Sequence, residues 1–77
     1  MSAEDALEGA ELLKAAAEAW AALDRPLEAA RSRLLAGQVV MAVEPERGRE
    51  LLEEAAQEIE RLGVMHLSRR ARALAAG

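Results

Sequence analysis

Residues 9–23, GAELLKAAAEAWAAL, return as GRELLEEAAQEIERL at residues 48–62. At a shift of 39 residues, seven of the 15 positions are identical: Gly9 and Gly48, Glu11 and Glu50, Leu12 and Leu51, Leu13 and Leu52, Ala16 and Ala55, Ala17 and Ala56, Leu23 and Leu62. Trp20 meets Ile59 as an apolar match. With one inserted residue the shift becomes 40, and Leu27 then falls on Leu67 and Leu34 on Leu74. Such a period signals one supersecondary unit used twice. The first and third segments are therefore one type of helix, and the second and fourth another.

Working outward, two Pro and five Gly divide the chain into four expected helices, residues 3–23, 26–43, 45–62 and 65–75. Ser2 with Asp5 has the spacing of a capping box. Asp24-Arg25-Pro26 ends one helix and starts the next, because Pro suits a first helical turn and disfavours a helical residue before it. Glu44-Pro45 repeats the break, with Glu46 placed where the next helix dipole favours negative charge. Gly63 suits a left-handed cap. Ala6, Gly9, Leu13, Ala16, Trp20 and Leu23 recur at helical spacing, as do Gly48, Leu52, Ala55, Ile59 and Leu62. Val39–Val43 alone would also suit a strand, but Leu27, Ala30, Leu34 and Met41 keep helical spacing. Leu35, Val39 and Val43 lie on another side, so the second helix is expected to pack on two neighbours. Gly48 is expected at a close helix crossing, since Gly in an exposed helix only weakens it.

Composition agrees. Ala and Leu supply 31 of 77 residues, Phe and Tyr are absent, and β-branched apolar residues number only five. That bias favours an all-α chain of four antiparallel helices in one domain, residues 1–77. Without Cys there is no disulfide framework, thiolate nucleophile or Cys-rich zinc site. The longest uncharged run, Leu34 to Val43, is ten residues, far below the roughly 18 needed to span a bilayer. No basic leader precedes an apolar core, so a cytoplasmic location is expected. A net charge of −4 argues against general nucleic-acid binding by the whole chain. Leu, Val, Ile, Met and Trp total 21, few for the entropy of ordering such a chain, so a covering neighbour is expected.

The residues resemble the tetratricopeptide repeat, which pairs antiparallel helices through alternating large and small positions. Leu35-Ala36, Val39, Gly48, Leu52 and Ala55 follow that alternation, and the match covers Arg31 to about Leu62. Aliphatics replace the expected aromatics, the Gly of the inter-helix turn and the closing Pro are missing, and the period exceeds the usual 34. Longer repeats of this kind look like those of large LuxR/MalT-type bacterial transcriptional regulators. Phrases similar to Trp20-Ala-Ala-Leu-Asp-Arg-Pro-Leu-Glu-Ala-Ala-Arg31 and Ile59-Glu-Arg-Leu-Gly63 recur there, before an Arg-rich helix like Arg69-Arg70-Ala71-Arg72. The resemblance implies tetratricopeptide-like hairpins, as a superhelix or bundle, and a place shortly before a helix-turn-helix domain. It also assigns the helix order second–first–second–first, with the first-type helices lining a groove.

Little chemistry is available for catalysis. His66 is the only histidine, and one His does not make a metal site; near the turn after Gly63 it reads as a solvated or cap-region side chain. Trp20 reads as a core or inter-helix anchor, because Ile59 takes the same place in the repeat. Glu53 and Glu54 lie away from Leu52, Ala55 and Ile59, with Arg49–Glu53 and Glu58–Arg61 as surface pairs. No Ser/His/Asp set and no Gly-rich phosphate loop occurs. The expectation is a non-enzyme with no cofactor and no metal.

Charge gives the remaining hint. Residues 1–30 carry −5 and residues 44–62 carry −4, while Arg31 and Arg33 add +2 and Arg69, Arg70 and Arg72 add +3. By the resemblance, those five Arg line the groove and suit an acidic peptide partner. Acidic and basic helices pairing with each other would give the same pattern. The leading expectation is a protein–protein interaction or oligomerisation module. The alternative is a regulatory fragment whose Arg69, Arg70 and Arg72 touch nucleic acid weakly. Ala3, Ala6, Ala10 and Ala17 offer no polar cap on the first helix, so a homodimer is expected through faces near Leu7, Trp20 or Leu67.

Overall fold

The computed structural model describes residues 2–77; Met1, the first residue of the expected domain, lies outside them. Four helices form: α1 (Ala3–Ala22), α2 (Pro26–Met41), α3 (Pro45–Arg61) and α4 (Met65–Ala76), with no strand among the described residues. Ser2 Oγ accepts from the Asp5 amide at 3.1 Å and caps α1. Pro26 and Pro45 open α2 and α3 at a position that needs no backbone donor. The second helix stops at Met41, two residues short of expectation. There the Val40 carbonyl accepts from both Val43 (2.9 Å) and Glu44 (2.7 Å), which tightens the chain into a turn.

The repeat is carried through the turn without an insertion. Asp24 (φ 58°) and Gly63 (φ 81°) are both left-handed and stand 39 positions apart. The Arg25 amide donates to the Trp20 carbonyl at 2.9 Å, as the Val64 amide does to the Ile59 carbonyl at 3.3 Å. Helices α2 and α4 also begin 39 residues apart, at Pro26 and Met65. The expected shift of 40 is therefore corrected. In the structure Arg31 corresponds to Arg70, Arg33 to Arg72, Leu35 to Leu74 and Ala36 to Ala75. A one-residue insertion would have rotated α4 by about 100° about its axis, a full residue step.

Each helix packs on its sequence neighbours, α1 on α2, α2 on α3 and α3 on α4. Among the described residues, no comparable packing returns from α4 to α1. The result is an open slab with Cα extents of 34 × 27 × 14 Å, not a closed bundle. Lys14 and Glu18 of α1 and Leu51 and Glu54 of α3 share a groove over Ala36 of α2. Helices α2 and α4 share a second groove. The helices thus alternate between two layers.

Small residues set the α2–α3 distance. A Cβ on Gly37 would stand 3.0 Å from Leu52 Cγ, and one on Gly48 would stand 2.6 Å from Met41 Cβ and run into the Met41 backbone. The expected close crossing at Gly48 is present. Helix α2 buries two faces, as its double apolar pattern requires: Ala30 and Leu34 pack in a cluster with Leu52, Ala55 and Ile59, and Ala36 and Val40 pack with Ala10.

Helix α1 departs from expectation. Ala6, Ala10 and Ala17 are buried, so they are its covered face and not the uncapped one. Ile59 is fully buried, whereas Trp20, its repeat counterpart, is 38% exposed. The expected core anchor at Trp20 is thereby corrected. Among the described residues, no preceding helix packs on α1 as α2 packs on α3.

Candidate functional site

The α2/α4 groove is built from both first-type helices. Arg31, Leu34, Leu35 and Gln38 enter from α2, and Leu67 and Arg70 from α4, around a depression of about 270 Å³. Helical spacing puts Arg31, Leu35 and Gln38 on one stripe of α2, and Leu67 and Arg70 on one stripe of α4. Leu34 is buried beneath them and Leu35 is 48% exposed. Neither Arg31 nor Arg70 forms an ion pair among the described residues. Two unengaged guanidiniums over an apolar floor can receive a carboxylate and an aliphatic side chain together.

The other three expected partner-binding Arg do not join them. Arg33 points to the opposite layer and is hydrogen-bonded to Glu58. Arg72 donates through Nε to Glu60 Oε1 at 2.6 Å, tying α4 to α3. Arg69 is exposed but does not line the groove. Arg69, Arg70 and Arg72 therefore have three different surroundings: open surface, the groove and the Glu60 carboxylate. The expected helix-surface pairs also differ. Arg49 Nε donates to the Ala75 carbonyl at 3.1 Å, towards the end of α4, instead of pairing with Glu53, and Glu58 takes Arg33 instead of Arg61. In both cases a partner on a neighbouring helix wins over one on the same helix.

The expected self-association residues separate as well. Leu7 packs against the Ala10–Ala36–Val40 cluster, and Leu67 packs against the main cluster while edging the groove. Of the three, only Trp20 is on an uncovered face. Sequence reasoning missed its companions: Leu12 of α1 (68% exposed) and the C-cap residue Leu23 (69%) flank it. Their repeat spacing was visible, but which side of α1 would meet α2 was not. Leu35 and Gln38 were missed as groove residues because charge pattern marks only the Arg, and an exposed Leu or Gln carries no such signal.

The groove between α1 and α3 is chemically different. It is lined by Lys14, Arg33 and Arg47 with Glu18, Glu54 and Glu58, and its three bases are already paired to Glu11, Glu58 and Glu50. His66 is exposed. No group of three or more His, Asp or Glu among the described residues could hold a metal ion. Among the described residues, no helix is long and apolar enough to cross a membrane. Comparison with known proteins yields no matching family model, no matching curated protein and no matching solved structure.

Proposed function

We propose that this chain is a non-catalytic protein-interaction module of tetratricopeptide-like hairpins whose α2/α4 groove takes an acidic, leucine-bearing peptide. One observation carries the reading: Arg31 and Arg70 line one groove, without carboxylate partners among the described residues, at equivalent places of the repeat, over Leu34, Leu35 and Leu67. Forked guanidinium–carboxylate contacts supply orientation, and the leucines supply buried area. The resemblance of the Trp20–Arg31 phrase extends the reading to a cytoplasmic bacterial transcriptional regulator, in which such a module holds a partner segment.

The test is fluorescence anisotropy with a labelled peptide of Glu and Leu at helical spacing, its Lys-for-Glu counterpart and a duplex oligonucleotide. The acidic peptide is expected to bind and the Lys peptide not to bind. The double variant Arg31→Glu/Arg70→Glu should weaken binding by more than about tenfold, since the loss of one charge-assisted contact alone is worth that factor. Added salt should also weaken it. No binding at millimolar protein, binding unchanged in the double variant, or tighter binding to the duplex overturns the reading.

A further inference from the structure

The uncovered face of α1 has a known counterpart inside the molecule. On α3, Leu52, Ala55 and Ile59 share a cluster with Ala30 and Leu34 of α2 and with Ala71 and Ala75 of α4, and Gly37 of α2 stands directly against Leu52. Subtracting 39 residues gives Leu13, Ala16 and Trp20 of α1. Leu13 and Ala16 are half-buried, Leu13 reaching the edge of the Ala10–Ala36–Val40 cluster, while Trp20, Leu12 and the C-cap residue Leu23 are exposed alongside. Adding 39 to the α2 residues gives Arg69, Ala73 and Ala76 of α4, all three exposed. One outer edge of the slab therefore carries the receiving face, and the other carries the covering face.

We infer that α1 of one copy receives α4 of a second copy, head to tail, so that the 39-residue repeat continues from one molecule into the next. This rests on the reading of the chain as an interaction module and names a partner for a different surface of it. The internal register supplies the geometry. Gly37 on Leu52 becomes Ala76 on Leu13, a small residue again admitting close approach. Ala30, which shares a cluster with Ile59, becomes Arg69 over Trp20, a guanidinium on an indole face. Charge supports the same polarity. Helix α1 carries five acids and one base, and α4 carries three Arg and no acid, so unlike edges attract and like edges repel. Because the two surfaces differ, the contact is heterologous, and an open assembly keeps one free edge at each end.

Sedimentation of the full chain tests this, with Trp20 as the sole tryptophan reporter. The mean mass should rise with protein concentration past that of a dimer, with a blue shift of Trp20 emission, and fall with added salt. Trp20→Glu and Arg69→Glu should each run as monomers with unchanged helicity. Their one-to-one mixture should form a dimer and nothing larger, since only one of its two junctions is intact. Ala16→Glu and Ala73→Glu, on the same two faces, must repeat the pattern and stand in if either first variant loses helicity. A wild-type chain that stays monomeric at millimolar concentration, or a mixture that stays monomeric, overturns the inference. So does association lost on the α1 variants but kept on the α4 variants, which would mean an α1-to-α1 dimer. Peptide binding at Arg31 and Arg70 is read separately on the Trp20→Glu monomer, so failure of that groove and failure of this contact are distinguishable.

Discussion

Gly9 and Gly48 occupy the same place in a 39-residue repeat, yet a Cβ on Gly48 would collide with Met41 while one on Gly9 would meet nothing within 4 Å. The difference is the helix that precedes each. Helix α3 has α2 laid against it, and among the described residues nothing is laid against α1 in that way. Local sequence made two similar helices, and tertiary context gave one of them a neighbour.

That asymmetry predicts substitutions of opposite sign. Gly9→Ala should stabilise by up to about 1 kcal/mol, the helix-propensity difference. Gly48→Ala gains the same propensity but drives a methyl into the Met41 backbone, and overpacking of that kind costs about 1–3 kcal/mol. A net loss is expected there, and a larger loss for Gly48→Leu. Chemical denaturation of the three variants at one protein concentration checks the order. A Gly48→Leu midpoint at or above wild type would contradict the packing described.

The second pair is Ile59 and Trp20. Ile59→Ala removes a fully buried side chain and should cost about 2–5 kcal/mol. Trp20→Ala should cost clearly less in the monomer, because that face has no partner helix to lose. Urea melts of both, in dilute protein, would show the two costs equal if Trp20 were a true core residue.

The turns give a third comparison. Gly63→Ala places a Cβ at φ 81° and should destabilise by about 1–2 kcal/mol. Asp24 already pays such a cost at φ 58°, so Asp24→Gly should relieve it, less about 0.4–1 kcal/mol for the freer unfolded chain. The expected outcome is neutral to slightly stabilising. A strong loss on Asp24→Gly would mean that the Asp24 carboxylate holds the turn.

The Arg residues should divide by environment. Arg33→Ala and Glu58→Ala are expected to couple in a double-mutant cycle by about 1 kcal/mol at most, since both side chains are partly solvated. Arg31→Ala and Arg70→Ala should leave stability nearly unchanged and act on peptide binding alone. Thermal melts of the single and double variants separate the two groups, and a large stability loss at Arg31 would assign it a structural role.

Much of the architecture is legible in local signals, because those signals act over a few residues. Pro26, Pro45 and Gly63 mark the breaks within one or two positions of where they fall, since a missing donor or a left-handed φ ends a helix whatever surrounds it. The double apolar pattern of α2 predicts its two neighbours for the same reason. The groove is half legible: the charge pattern marks Arg31 and Arg70, but equally Arg33, Arg69 and Arg72. Only the placement of Glu58 and Glu60 on α3 decides which guanidiniums are engaged.

By itself, the sequence determined four helices, their order, their breaks and a unit used twice, because propensity, capping and proline geometry are properties of short stretches. The tertiary structure alone decided three things: that the shift stays at 39 residues through the turn, that Arg31 and Arg70 share a groove, and that the uncovered stripe of α1 runs along Trp20 and not along Ala10. Each depends on the rotation of one helix against another. That rotation is set by side chains distant in sequence, Met41 against Gly48 and Leu52 against Gly37, which no local pattern contains.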